Sequence, residues 1–134
     1  MRRAVSGVRQ LRVVLTVEDF EAAVALYRDA LGLRQLDVPA EEGGRLAILE
    51  AGNATLELVD EGQAAAIDRI EVGRRVAGPV RFAFEVDDSA ASATRLTQAG
   101  AAQLADPALT PWGELNVRLR APDGMQLTLF APPA

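Results

Sequence analysis

The sequence predicts an α+β fold built from two tandem βαβββ modules. Three observations predict it. First, Leu11-Arg12-Val13-Val14-Leu15-Thr16-Val17-Glu18-Asp19 is matched 69 positions later by Val80-Arg81-Phe82-Ala83-Phe84-Glu85-Val86-Asp87-Asp88. Second, Gly52-Asn53-Ala54-Thr55-Leu56-Glu57-Leu58-Val59 is matched 71 positions later by Asp123-Gly124-Met125-Gln126-Leu127-Thr128-Leu129-Phe130. Third, an acid-capped helical pattern follows the first strand pattern of each half. A period of about half the chain marks a duplicated half-domain rather than a solenoid.

Residues 9–17 alternate and are rich in β-branched side chains, which predicts a strand. Asp19 is placed to cap a helix. Phe20, Val24, Tyr27 and Leu31 then form one apolar helical stripe, which Gly32 ends. Three strands are expected at 33–38, 45–50 and 54–59, separated by Gly43-Gly44 and Gly52-Asn53. Residues 61–77 read as a partly helical linker between the module at 9–60 and the module at 78–131, all within one domain, 1–134. The second half predicts a strand at 79–86, a helix at 88–99 capped by Asp88 and stopped by Gly100, and strands at 101–105, 114–120 and 125–130. Pro122-Asp123-Gly124 makes the last turn.

The chain has 134 residues, enough for one core without covalent staples. It has no Cys, no His and no Lys, and all 14 basic residues are Arg. No Cys means no disulfide, thiolate nucleophile or zinc–thiolate site. No His removes the commonest general base and metal ligand. No Lys removes lysine Schiff-base chemistry. Acid–base work falls to Asp, Glu and Tyr27. A net charge of −5 argues against a nucleic-acid partner, and Arg2, Arg3, Arg9, Arg74 and Arg75 read as solvated side chains. No apolar run reaches membrane-spanning length. Met1 to Gly7 is too short and polar for a signal peptide, so the expectation is a cytoplasmic protein without a membrane partner.

The chain resembles the vicinal oxygen chelate superfamily, which includes glyoxalase I, bleomycin resistance proteins and extradiol dioxygenases. The residues that carry the resemblance span nearly the whole chain in order. They are Val17-Glu18-Asp19-Phe20-Glu21-Ala22-Ala23 with Tyr27 and Leu31-Gly32-Leu33, then Phe82-Ala83-Phe84-Glu85-Val86-Asp87-Asp88, Pro111-Trp112-Gly113, and Pro122-Asp123-Gly124 before Leu127-Thr128-Leu129-Phe130. The resemblance implies a cupped, mixed eight-stranded sheet and a homodimer.

Strand parity assigns the two faces of that sheet. Leu11, Val13, Leu15 and Val17, and Val80, Phe82, Phe84 and Val86, are expected to pack under the helices, with Leu56, Leu58, Met125, Leu127 and Leu129 also in the core. The other face carries Arg12, Glu57, Arg81, Glu85, Gln126, Thr128 and Phe130, with Trp112 in a loop nearby. The resemblance implies that this face lines a cavity, and that metal-dependent relatives hold their metal at the positions of Arg12, Glu57, Arg81 and Thr128. Only Glu57 of these is an ordinary metal ligand, since a guanidinium has no lone pair to give. The expectation is therefore no metal and no cofactor. The leading reading is a metal-independent protein that binds an anionic or amphipathic small molecule, similar to the antibiotic-sequestering relatives. One alternative is a lyase, isomerase or dioxygenase with an atypical site. The other is a structural module closed by ion pairs among Arg12, Arg81, Glu57 and Glu85. Glu57 is a candidate base, though no catalytic residue is assigned, and a neighbouring Arg is expected to depress its pKa.

Overall fold

A computed structural model of the chain describes residues 8–38 and 43–132. The leader reading and the Arg2–Arg3 cluster lie outside these residues. The strands are β1 (Gln10–Thr16), β2 (Leu46–Ala51), β3 (Ala54–Val59), β4 (Val80–Glu85), β5 (Ala102–Gln103), β6 (Ala108–Leu109), β7 (Leu115–Arg120) and β8 (Gln126–Ala131). The helices are α1 (Phe20–Val24, continuing as a π-helix over Ala25–Ala30), α2 (Glu61–Glu71) and α3 (Ser89–Gln98). All strands join one sheet in the order β2-β3-β1-β4-β8-β7-β5, with β6 also on β7.

The duplication is visible in the pairing. In each half a first strand runs parallel to its last strand, β1 to β3 and β4 to β8. The halves meet within the chain where β1 and β4 run antiparallel, with Arg12 opposite Ala83 and Arg81 opposite Val14. Opposed residues share a face of a sheet, so Arg12 and Arg81 lie on the same one.

Two apolar clusters occupy the outer face, as parity predicts. Val24 of α1 packs with Ala47, Leu49 and Leu58, and Tyr27 and Phe20 join them. Ala93 of α3 packs with Val86, Val117, Leu119 and Leu129. A third cluster lies on the inner face, where Ala64 of α2 meets Val14 and Val59. The described residues therefore form three layers, with α2 the one helix among them on the inner side.

Three expectations are corrected. Residues 33–38 form no strand; only Gln35 bridges to Leu49. Leu33 and Leu36 are three apart, so the segment lacks the two-residue alternation a strand needs. Leu31 is exposed rather than part of the α1 stripe. The π-helical turns are wider, each residue advances less about the axis, and Leu31 falls out of phase with Val24. Leu11, Val13 and Phe82 are half-buried rather than packed under a helix, because α1 lies on β3 and α3 on β7 and β8. The segment at 61–77 is helical over its first 11 residues as α2, whose cap Asp60 accepts a hydrogen bond from the Gln63 amide at 2.8 Å.

The loop before β2 comes up against the start of α2. A Cβ on Gly44 would collide with Asp60 Oδ1 and the Gln63 amide, the two atoms of that cap. Gly44→Ala is therefore expected to cost about 1–3 kcal/mol, the range for overpacking. A urea unfolding curve checks this, and an unchanged midpoint would contradict it.

Candidate functional site

The inner face of the sheet and α2 enclose a cavity of about 260 Å³. Arg12 and Val14 come from β1, Ile48 from β2, Glu57 from β3, Arg81 and Ala83 from β4, Asn116 from β7, and Thr128 and Phe130 from β8. Gln63, Ile67 and Glu71 face it from α2, spaced four residues apart on one side of the helix. Val38 and Trp112 are its exposed lining residues and mark its mouth. Six of the eight expected residues are thus brought together, and Arg12 and Arg81 share one cavity. Glu85 and Gln126 do not line it. Gln126 accepts a hydrogen bond from Arg118 at 3.1 Å, and Glu85 lies at the end of β4 opposite Gln10.

The deepest polar group is Arg118, fully buried on β7. Its Nη1 donates to Asp68 Oδ1 at 2.8 Å, and its Nε to Glu71 Oε1 at 3.0 Å. Asp68 Oδ2 accepts from the Val76 and Ala77 amides at 2.7 and 2.8 Å, and from Arg75 at 3.0 Å. Burial pushes the Asp68 carboxyl up, but the Ala77 and Val76 amides and Arg118 outweigh it and hold it below the usual range. These contacts clamp the last two turns of α2 to the sheet.

Thr128 belongs to the same network. Its hydroxyl donates to Glu71 Oε1 at 2.8 Å and accepts from Arg81 Nη1 at 2.8 Å and Arg118 Nε at 3.2 Å. One donor and two lone pairs are then all used. Arg81 is buried, and burial lowers its guanidinium pKa against the pull of Glu71. Thr128 is its one side-chain hydrogen-bond partner among the described residues.

Arg12 sits nearer the mouth. Its guanidinium carbon lies 4.1 Å from the centre of the Phe130 ring, a cation–π distance. It donates to Gln10 at 3.0 Å and approaches Glu57 at 3.7 Å and Glu114 at 3.9 Å. Trp112 Nε1 donates to the same Glu114 carboxylate at 2.8 Å.

Three lining residues hold buried side-chain oxygens that accept no hydrogen bond among the described residues: Gln63 Oε1, Asn116 Oδ1 and Glu57 Oε2, the last keeping the 3.7 Å ion pair with Arg12. A buried acceptor without a donor costs about 1–3 kcal/mol. For Glu57 the expected direction of its pKa shift is corrected. Arg12 and Arg81 do favour its charged form, but burial outweighs them and pushes the carboxyl up.

The chain belongs to the Glyoxalase/Bleomycin resistance protein/Dioxygenase superfamily. The family model matches residues 9–129. Solved structures share the fold at low identity. Methylmalonyl-CoA epimerase from Streptomyces coelicolor, in complex with 2-nitronate-propionyl-CoA, is 23% identical with a TM-score of 0.63, over 98% of this chain and 100% of that one. The epimerase from Mycobacterium tuberculosis is 19% identical with a TM-score of 0.64, over 99% and 94%. A superfamily member from Vibrio splendidus is 12% identical with a TM-score of 0.62, over 90% and 97%. Among curated proteins, none matches the sequence. Among the described residues, no helix is long and apolar enough to cross a membrane.

The metal implied by the superfamily does not fit these residues. Of the four matched positions, two are guanidinium groups, and the Thr128 hydroxyl is fully engaged. No cluster of three or more Asp or Glu among the described residues is placed to hold an ion.

The sequence reading missed Asp68, Glu71, Asn116 and Arg118. Parity on β7 was the available signal for two of them. With Leu115, Val117 and Leu119 facing outward, Asn116 and Arg118 must face inward.

Two measurements check this account. Arg118→Met leaves Glu71 buried without its ion-pair partner and Asp68 with Arg75 alone, and is expected to cost about 3–5 kcal/mol in urea unfolding. Because folding raises the Glu57 pKa, the native chain binds more protons there than the unfolded chain. This group's contribution to stability therefore falls as pH rises from the ordinary carboxylate range through the raised value. Glu57→Gln is expected to melt higher than the wild type at neutral pH, with the gap closing as pH is lowered through the carboxylate range.

Proposed function

We propose that the protein binds a small molecule in this cavity without a metal, with Arg81 as the group that receives an anionic or carbonyl oxygen. The observation that carries the reading is Arg81 itself. A buried guanidinium has five N–H donors in a fixed fork, and here one side-chain acceptor, Thr128, meets it. Ligand oxygens suit the remaining donors, and a charge-assisted hydrogen bond in a dry site is among the stronger ones. The apolar walls formed by Val14, Ile48, Ile67, Ala83 and Phe130 favour a ligand with an apolar body. The volume of about 260 Å³ is below the ~300–1,000 Å³ of pockets for drug-sized ligands. That supports a metabolite-sized ligand over a large antibiotic.

Trp112 at the mouth supplies the readout. Short branched carboxylates and ketones, titrated in the presence of a chelator, are expected to change its fluorescence. Arg81→Met is expected to weaken binding about tenfold or more, the equivalent of losing one charge-assisted hydrogen bond. Equal binding by Arg81→Met, or no response to any such compound, would overturn the reading.

A further inference from the structure

We propose that the ligand is a small zwitterion, an α-amino acid with an apolar side chain, whose ammonium group meets the oxygens of Glu57, Gln63 and Asn116 while its carboxylate meets Arg81. The inference rests on the cavity reading above and narrows it. Three lining residues from three different elements each carry a buried acceptor that receives no hydrogen bond among the described residues. Their exposures are 8% for Glu57, 2% for Gln63 and 4% for Asn116. Acceptors in this number call for a ligand rich in N–H or O–H donors, and an ammonium offers three.

Charge points the same way. The cavity is lined by two cations, Arg12 and Arg81, and three carboxylates, Glu57, Glu71 and Glu114. Behind the wall, Arg118 is paired with Asp68 and Glu71. With Glu71 met by Arg118, the described lining is left with two cations and two carboxylates, a balance that a bare carboxylate upsets. A simple amine leaves Arg81 with Thr128 as its one side-chain acceptor among the described residues. A zwitterion answers both ends and leaves the balance unchanged. The apolar walls then receive the side chain.

The test compares three ligands of one carbon skeleton on the wild-type protein, by Trp112 fluorescence and calorimetry. They are L-leucine, 4-methylpentanoate, which lacks the amino group, and 3-methylbutylamine, which lacks the carboxylate. Leucine is expected to bind about tenfold or more tighter than either. In Glu57→Gln, once its melt shows it folded, leucine is expected to lose most of its advantage over 4-methylpentanoate. If 4-methylpentanoate binds the wild type as well as leucine, the zwitterion is overturned and the Arg81 reading stands. If 3-methylbutylamine matches leucine, or if neither carboxylate binds, both are overturned. The ligand comparison uses only the native chain, so it decides the matter even if the variant does not fold.

Discussion

Everything on the inner face depends on the buried guanidinium of Arg118. It pairs with Glu71 and with Asp68, which Arg75 also meets, and through them it holds α2 across the sheet. Without that clamp the inner face of the sheet would be open. With it, Gln63, Ile67 and Glu71 become a wall, and the face becomes a cavity. A buried ion network is costly to assemble and more costly to break at one partner. The clamp also commits neighbouring groups. Thr128 sits where a metal-dependent relative is expected to place a ligand, and here its hydroxyl is bound to Glu71, Arg81 and Arg118.

The chemistry of the cavity follows from that commitment. Arg81 stands with its guanidinium hydrogen-bonded to Thr128, so the positive charge at this place is fixed to the protein. A guanidinium receives oxygens by hydrogen bonds and keeps no open coordination position. Opposite it, Glu57 is buried enough that desolvation prevails over two nearby Arg side chains. The site sets a donor-rich cation beside oxygens short of donors, an arrangement unlike a set of ligands around one ion.

Much of the fold was legible in the sequence, because the chain states it twice. The repeat around Arg12 and Arg81 gave the strands their parity, and parity put Arg12, Glu57, Arg81, Thr128 and Phe130 on one face. The clamp was not legible from that comparison. Its acids lie on α2, which has no counterpart in the second half and therefore no repeat to expose it. Arg118 was within reach through the alternation of β7. Its partners were not, since nothing local says that residues 68 and 71 return to the same sheet. The sign of the Glu57 shift was missed for a related reason. Neighbouring charges can be inferred from parity, but the depth of burial depends on the helix laid over the site.

The most direct test is the metal content of the protein purified without chelator, measured by mass spectrometry before and after incubation with nickel, zinc, manganese and ferrous iron. With Arg81 and Arg12 where a metal's ligands would stand, the account predicts no stoichiometric metal in any of these samples. Retention of about one ion per chain would contradict it, and would mean that oxygen ligands outside the four matched positions assemble a centre beside two guanidinium groups.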